Sequence, residues 1–377
     1  MFESPPFWMY IIGFLLLLGP LVTVHELGHY LVARWLGVKA EIFSIGFGHE
    51  LTGWTDKSGT RWRIAAIPLG GYVQFKGDMN PASVPDAEAL AKSTPEERDG
   101  SFHCKPLWKR ALIVFAGPLT NILVAVAIFA AFFMAFGRPV PVDPDETNII
   151  RSFAPESVAQ DAGAREGDRI VSIDGEDVVR FEDIADHVLL HPGKKIELGL
   201  ERDGNRLNLP VTIGTSVEQD QFGNETRVGR LGFYSSEYKL EKVGPIAAVA
   251  LSFQSSWDLT RMMVTGIKQV LVGDRSIKEL GGPIKIAKYS GERLSLGPLP
   301  FIEFVAMISL NLAFINLLPI PALDGGHLAF YAAEAVRRKP VSANGMEWAY
   351  RTGVALVLML MVVVTVNDLV SLPIFGS

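Results

Sequence analysis

The segment Thr23–His29 carries the residue types of a hydrolytic metal centre. It reads Thr-Val-His-Glu-Leu-Gly-His, so His25 and His29 are four residues apart and Glu26 adjoins the first of them. On an α-helix, residues four apart share a face, so both imidazoles can bind one metal ion. Glu26 is then near enough to take a proton from a water molecule that zinc activates. The spacing predicts zinc-assisted hydrolysis.

A catalytic zinc ion takes three protein ligands and leaves one position open, so a further ligand must come from elsewhere in the chain. Residues 34–40 hold no carboxylate or imidazole, and Glu41 follows a glycine that breaks the helix. The best candidate is Asp324, a carboxylate directly after the third apolar segment. Two prolines shortly before it must interrupt the helix and make room for a loop beside the metal. His327 remains a rival ligand.

Four stretches of the chain are apolar enough to enter a membrane. They lack charged residues and are Phe7–Val24, Ala111–Gly137, Phe304–Leu323 and Thr352–Asn367. A spanning helix needs about 20 such residues, so the first and last must extend into their polar flanks. No basic region precedes the first stretch, so we expect it to be a mature helix and not a cleaved signal peptide. A charge at mid-membrane costs about 2.5–3.5 kcal/mol, which argues that His25, Glu26 and His29 have a compensating partner.

Lysine and arginine residues are concentrated in two connecting segments. The segment between the first two apolar stretches holds Lys39, Lys57, Arg61, Arg63, Lys76, Lys92, Arg98, Lys105, Lys109 and Arg110. The short loop before the last stretch holds Arg337, Arg338 and Lys339. Because basic loops are retained in the cytoplasm, we expect both segments there. Both termini and residues 138–300 then lie on the opposite side of the membrane.

The segments outside the apolar stretches have recognisable patterns. Residues 41–75 are punctuated by glycines and contain a run at 60–67 that alternates in polarity, which predicts β-structure. Residues 148–213 predict a small domain with strands, a short helix and a hairpin around Asp203–Gly204. The stretch 78–100 is rich in Pro, Asp and Glu and predicts a mobile loop. Residues 243–272 predict a helix that either lies in the membrane interface or packs on the protein.

Several motifs in this chain occur together in one known group of proteins. They are His-Glu-Leu-Gly-His at 25–29, Ile-Pro-Leu-Gly-Gly-Tyr-Val at 67–73, Phe-Ala-Gly-Pro-Leu-Thr-Asn at 115–121, Gly-Gly-Pro-Ile at 281–284 and Asn-Leu-Leu-Pro-Ile-Pro-Ala-Leu-Asp-Gly-Gly-His at 316–327. In combination they resemble the site-2 protease family of intramembrane metalloproteases, and its bacterial branch typified by the regulator of sigma-E protease (RseP). Residues 153–176 also resemble a PDZ domain, a module that binds an extended peptide as an added strand.

The resemblance implies an enzyme that cuts single-pass membrane proteins within or near their transmembrane helix, in a bacterial inner membrane. Its substrates are usually trimmed first by another protease, as anti-sigma factors are. The implied ligands of one Zn²⁺ are His25, His29 and Asp324, and the implied base is Glu26. The implied substrate-binding residues are Asn316, Gly70 and Gly71.

The expected fold is an α-helical polytopic membrane protein with four transmembrane helices, a membrane-associated β-rich segment and an inserted PDZ-like α/β domain in the periplasm. The expected segments are a first transmembrane helix (1–36), a β-rich cytoplasmic or membrane-associated loop (37–106), a second transmembrane helix (107–137), the PDZ-like domain (146–215), a linker with an amphipathic helix (216–298), a third transmembrane segment (299–330) and a fourth helix (347–372). Whether the PDZ-like domain excludes untrimmed substrates or recruits trimmed ones stays open.

Two other function classes fit part of the pattern. A membrane receptor could hold the metal as a structural ion, but a structural site needs no base such as Glu26. A metal transporter would carry polar residues through several helices, and the second and fourth apolar stretches have almost none. The net charge of -6 indicates no nucleic-acid partner. The single cysteine, Cys104, excludes an intrachain disulfide and a cysteine zinc cluster.

The charge pattern predicts a definite topology. Within residues 78–100, a fused fluorescent protein should be active and a fused alkaline phosphatase inactive, because basic residues on both sides of this segment retain it in the cytoplasm. Reporters fused within residues 148–213 should be active only as periplasmic reporters. Paired alkaline phosphatase and fluorescent protein fusions at both positions measure this, and the inverse pattern would contradict the topology.

Overall fold

A computed structural model describes residues 5–78, 94, 98–141, 148–178, 181–219, 225–235, 238–273, 281–339 and 343–370. The helices are α1 (Phe7–Trp35), α2 (Leu107–Phe136), α3 (Val158–Asp161), α4 (Phe181–Leu189), α5 (Pro245–Val272), α6 (Pro283–Ser295), α7 (Pro298–Leu317), α8 (Asp324–Arg337) and α9 (Ala343–Val370). The strands are β1 (Ala40–Thr55), β2 (Arg61–Phe75), β3 (Arg138–Pro141), β4 (Ser152–Phe153), β5 (Arg169–Ile173), β6 (Glu176–Asp177), β7 (Lys195–Arg202), β8 (Asn205–Thr212), β9 (Gly214–Gln219), β10 (Glu225–Arg230), β11 (Phe233–Tyr234) and β12 (Tyr238–Glu241). Most of the predicted loop at 78–100 lies outside the described residues.

The chain divides into two compact units. The helical unit comprises Pro5–Phe129, Phe253–Thr260 and Val270–Ser377. The β unit comprises mainly Ala130–Ser252 and Arg261–Gln269. Each unit has a hydrophobic core of its own, as described below.

Four helices among the described residues are long and apolar enough to cross a membrane, as the sequence predicts. They are α1, α2, α7 and α9. The first and last are longer than their charge-free stretches, since α1 has 29 residues and α9 has 28. Helix α1 continues through the histidine motif to Trp35, so the polar residues that could do chemistry are part of a spanning helix.

Helices α7 and α8 are separate, as the two prolines between them predict. Helix α7 ends at Leu317 and α8 begins at Asp324. Pro319 and Pro321 lack the N–H that would continue the helical hydrogen bonding, so the chain turns between the helices. Asp324 therefore lies in the first turn of α8, where the helix dipole favours a carboxylate.

Side-chain contacts hold these helices in register. Leu17 and Leu21 of α1 are buried in one cluster with Phe301 of α7. The guanidinium of Arg110 on α2 donates a hydrogen bond of 2.9 Å to a carboxylate oxygen of Glu334 on α8. Because that pair connects α2 with α8, it also restrains the helix that begins with Asp324.

Strands β1 and β2 form one curled sheet in the helical unit, which confirms the predicted β-rich segment. Residues 71–75 of β2 pair with residues 40–45 of β1, for example Gly71 with Ile45. The sheet packs through Phe43, which is 1% exposed and stacks on Trp62 with ring centroids 4.3 Å apart. Residues 42–45 of β1 lie between residues 61–64 and residues 71–74 of β2, so the end of β2 is on the opposite side of β1 from its start.

The β unit contains a four-stranded antiparallel sheet in the order β6-β5-β7-β8. The hairpin between β7 and β8 turns at Asp203–Gly204, as the sequence predicts. The core continues past residue 215, where the sequence pattern set the end of the domain. Leu231 is 4% exposed within this core, and β11 pairs with β4. Leu231 and the short strand β11 after it complete the core. They are distant in sequence from β4, so the sequence pattern did not predict this contact.

A buried ion pair connects the start and the end of the β5–β7 ribbon. Asp168 is 1% exposed and accepts two hydrogen bonds of 2.6 Å from the Arg202 guanidinium. Burial is the largest single influence and raises the pKa of this carboxyl. The hydrogen bonds from the Arg202 guanidinium and the Arg165 backbone N–H, together with the positive charges of both arginines, outweigh burial and lower the pKa below its ordinary value. The ionised pair therefore stabilises the fold.

This pair predicts a pH-dependent stability. A carboxyl whose folded pKa is lowered stabilises the fold above its unfolded pKa of about 3.9, and the stabilisation is lost as the pH falls below that value. Asp168→Asn should lower the free energy of unfolding of the β unit by about 2 kcal/mol at pH 7, and this effect should shrink as the pH falls from about 3.9 through the lower folded pKa. Hydrogen exchange of β5 and β7 amides in the full chain measures this. The exposed Arg206→Gln is the control, and equal protection of both variants at pH 7 would contradict the assignment.

Candidate metal centre

The two histidines of α1 direct their Nε2 atoms to one point. His25 and His29 are four residues apart on the helix and are 6% and 8% exposed. Their Nε2 atoms are 3.2 Å apart, and the rings meet edge to face with centroids 4.8 Å apart. Two Nε2 atoms at this distance can both bind one cation.

Asp324 completes the group from the other side. Its Oδ2 atom lies 3.1 Å from Nε2 of His25 and 3.5 Å from Nε2 of His29. The start of α8 can approach closely because the next residue is glycine. A Cβ at Gly325 would meet the backbone carbonyl oxygens of Leu317 and Leu318. A larger residue after the aspartate would therefore push the carboxylate away from the histidines.

The three donor atoms have the spacing of a zinc site. Ligands about 2.0–2.1 Å from zinc in a tetrahedral arrangement lie about 3.3 Å from each other. The three observed separations are 3.1, 3.2 and 3.5 Å. Two imidazoles and one carboxylate are also a donor set found in catalytic zinc sites, with a fourth position open. Among the described residues, His25, His29 and Asp324 are the group whose ligand atoms converge within 4.8 Å. The site fits zinc.

The opposite ring nitrogens have partners on α2. His29 donates from Nδ1 to the backbone carbonyl oxygen of Ile113 over 2.9 Å. Nδ1 of His25 lies 3.2 Å from the side-chain amide of Asn121. Such contacts fix the ring orientation and leave each Nε2 available as a ligand. The sequence did not identify these two partners as site residues.

Helix α2 can approach the histidines because it carries a glycine there. A Cβ at Gly117 would overlap Nε2 of His29 and would lie 2.9 Å from Cε1 of His25. Gly117 and Asn121 are four residues apart, so both face α1. That spacing within the motif at 115–121 was the available signal for their role.

Glu26 lies beside the metal group and is held by the sheet. The backbone N–H of Val73 in β2 donates a hydrogen bond to its carboxylate. A cavity of about 590 Å³ is lined by Glu26 together with His25, His29 and Asp324. The same cavity is lined by the other residues singled out in the sequence, namely Asn316, Gly70, Gly71 and His327. The tertiary structure thus brings together residues from α1, β2, α7 and α8.

Comparison with known proteins agrees with this geometry. The model of peptidase family M50 matches residues 13–360. The chain belongs to peptidase family M50, the site-2 protease family. A protein of Rhizobium meliloti named as a candidate zinc metalloprotease is 43% identical over 360 residues, which cover 94% of this chain and 95% of the relative. A protein of Agrobacterium fabrum with the same description is 42% identical over 367 residues, 96% of each chain. Metalloprotease MmpA of Caulobacter vibrioides is 35% identical, again over 96% of each chain.

Family membership shows the class of enzyme, and the apolar helices show that the protein belongs in a membrane. The protein is a zinc metalloprotease and a multi-pass membrane protein. The receptor and transporter alternatives are thereby set aside. The M50 match covers residues 13–360 and therefore every residue that lines the metal cavity, from Val22 to Tyr350.

The close approach of α2 predicts a sensitive position. Gly117→Ala should reduce bound zinc by about tenfold or more, because the added methyl group occupies the space of the His29 ring. Gly19→Ala in α1 is the matched control, since a Cβ there has nothing within 4 Å. Zinc per purified chain, measured by elemental mass spectrometry after dialysis, distinguishes the two. Equal zinc content in both variants would contradict the packing argument.

Proposed function

We propose that this protein is an intramembrane protease that cuts single-pass membrane proteins within or near their transmembrane helix. The observation that carries the proposal is the position of the metal group. His25 and His29 belong to the spanning helix α1, and Asp324 begins α8 after the short turn that follows the spanning helix α7. A hydrolytic centre built on spanning helices is suited to substrates that are themselves in the membrane.

The proposed roles follow from the geometry of the cavity. His25, His29 and Asp324 hold Zn²⁺, which when bound supplies Lewis-acid activation of water and of the scissile carbonyl. Glu26 accepts the proton of the attacking water and delivers it to the departing amine nitrogen. The hydrogen bond from Val73 N–H orients the Glu26 carboxylate for this transfer.

The substrate must be extended where it is cut. A transmembrane helix conceals its peptide groups in its own hydrogen bonds, so it has to unwind before hydrolysis. Residues 71–75 of β2 pair with β1 along one side, while Val73 N–H is directed at Glu26. An unwound segment added beside this strand would lie next to the base, in the manner of strand addition. Gly70 and Gly71 line the cavity there and would contact the substrate backbone.

Asn316 is the proposed polar contact to the reacting group. It lies near the end of α7 and lines the same cavity as the metal ligands. A carboxamide N–H can donate to the oxygen on which negative charge develops during hydrolysis of a peptide bond. Asn316 would in this way position the substrate or stabilise the oxyanion.

The remaining proposals concern the cellular setting. The protein would lie in a bacterial inner membrane, and the basic loops favour an orientation with the β unit and both termini in the periplasm. The β unit, with its PDZ-like sequence, would act on the periplasmic part of a substrate after an upstream protease has trimmed it. Substrates of this kind include anti-sigma factors and similar single-pass regulators. The protein would then make the second cut of a regulated proteolytic sequence.

Variants of the cavity residues test the proposed function. Glu26→Gln should retain zinc and lose proteolysis, because the ligands remain and only the base is removed; the loss should exceed about a hundredfold. Asp324→Ala should lose both zinc and proteolysis, whereas His327→Ala, the matched control, should retain zinc. Single-pass proteins trapped by Glu26→Gln in cells are identified by mass spectrometry, and their cleavage by wild type is measured after reconstitution.

The outcomes separate the assignments. Cleavage by Glu26→Gln at the wild-type rate would contradict the role of the base. Normal zinc content in Asp324→Ala together with loss in His327→Ala would make His327 the third ligand. Absence of single-pass membrane proteins among the trapped and cleaved substrates would contradict the substrate class.

A further inference from the structure

Asn121 is a fully buried polar side chain directed at the metal group. It is 0% exposed on the spanning helix α2, and its amide lies 3.2 Å from Nδ1 of His25. The amide atom that faces Nδ1 of His25 is Nδ2, and Oδ1 has no hydrogen-bond partner among the described residues. A buried amide in an apolar helix is costly unless it makes a specific contact. The contact available to this amide is His25.

The chemistry of His25 determines what the amide must offer. The Nε2 atom of His25 faces Asp324 and His29, so its lone pair is directed at the metal position. A neutral imidazole with a free lone pair on Nε2 carries its proton on Nδ1. An N–H group requires an acceptor, and an NH₂ group cannot accept. The amide of Asn121 must therefore present Oδ1 to His25, an orientation that a half-turn of the carboxamide provides.

The second histidine shows the same arrangement with a different acceptor. Nδ1 of His29 donates to the backbone carbonyl oxygen of Ile113, also on α2. Both ring N–H groups thus point to α2 and both Nε2 atoms point to Asp324. For His29 the acceptor belongs to the backbone, so a substitution does not remove it. For His25 the acceptor is a side chain, and the sequence can change it.

The backbone at Asn121 is anchored independently of its side chain. The hydroxyl of Ser309 on α7 donates to the carbonyl oxygen of Asn121 over 2.9 Å, and both groups are buried. This bond connects α2 to α7 without involving the amide. Ser309→Ala therefore disturbs the same helix contact while leaving the contact to His25 in place.

We propose that Asn121 is a positioning residue for the metal centre. It accepts the Nδ1 proton of His25 and so keeps Nε2 as the metal-binding nitrogen in the correct ring orientation. The inference rests on the proposed role of His25 as a zinc ligand. It adds a fourth side chain on which zinc affinity depends, although that side chain does not touch the metal.

Zinc and cobalt binding by the full-length protein test the proposal. Asn121→Leu keeps the size of the side chain and removes the acceptor, and it should weaken zinc binding about 10–100-fold in chelator competition. It should also change the visible absorption of the Co²⁺-substituted protein, since the His25 ring loses its fixed orientation. Asn121→Asp keeps an acceptor oxygen and should bind zinc within about threefold of wild type or more tightly. Ser309→Ala should bind zinc as wild type does.

Each outcome has a definite meaning. Wild-type zinc affinity and Co²⁺ absorption in Asn121→Leu would overturn the inference. If Asn121→Leu does not fold, Asn121→Asp decides alone. If the amide in fact donates to an unprotonated Nδ1 of His25, the carboxylate of Asn121→Asp would repel that nitrogen and zinc affinity would fall. Such a fall would overturn the inference. Equal loss of zinc in Ser309→Ala and Asn121→Leu would mean that Asn121 acts only through packing between α2 and α7, and it would also overturn the inference. His25→Ala serves as the reference, because retention of zinc in that variant would instead contradict the proposed ligand set.

Discussion

The structure of the helical unit depends on the convergence of two imidazoles and one carboxylate inside an otherwise apolar bundle. His25, His29 and Asp324 place three ligand atoms 3.1–3.5 Å apart. Without a cation, such a group is expensive to bury in a membrane. With zinc, the same three atoms become a coordination site and the cost of burial is offset by metal binding. The other features of the bundle can be read as means of keeping these atoms together.

Each neighbouring element contributes to this convergence. Helix α2 has Gly117 where the rings approach, and it supplies Ile113 and Asn121 as partners of the outer ring nitrogens. The proline-containing turn after α7 allows α8 to start at the aspartate. The pair between Arg110 and Glu334 then restrains α8 against α2. These contacts are short-range, but they join segments separated by up to 224 residues in the chain.

The sheet of β1 and β2 connects the metal group with the rest of the cavity. It reaches Glu26 through the N–H of Val73, and the same strand lines the cavity with Gly70 and Gly71. Glu26, the proposed base, is therefore held by the strand beside which an extended substrate is proposed to lie. Such an arrangement would couple substrate binding to catalysis, because a movement of β2 would displace both the substrate segment and the Glu26 carboxylate. The β unit has its own core and its own ion pair between Asp168 and Arg202, and the three residues of the metal group belong to the helical unit.

The sequence by itself determined the elements and the chemical groups, because both are encoded locally. The charge-free stretches gave the four spanning helices, the glycines and alternating residues at 41–75 gave the β-rich segment, and the spacing of His25, Glu26 and His29 gave the zinc chemistry. Only the tertiary structure decided which distant residues meet. It placed Asp324, and not His327, against both histidines, and it extended the core of the β unit past residue 215 to Leu231. It also selected Asn121 as the partner of His25. The physical reason is that local pattern sets helix and strand formation, whereas the approach of α2, α7 and α8 to α1 depends on packing between side chains far apart in the chain.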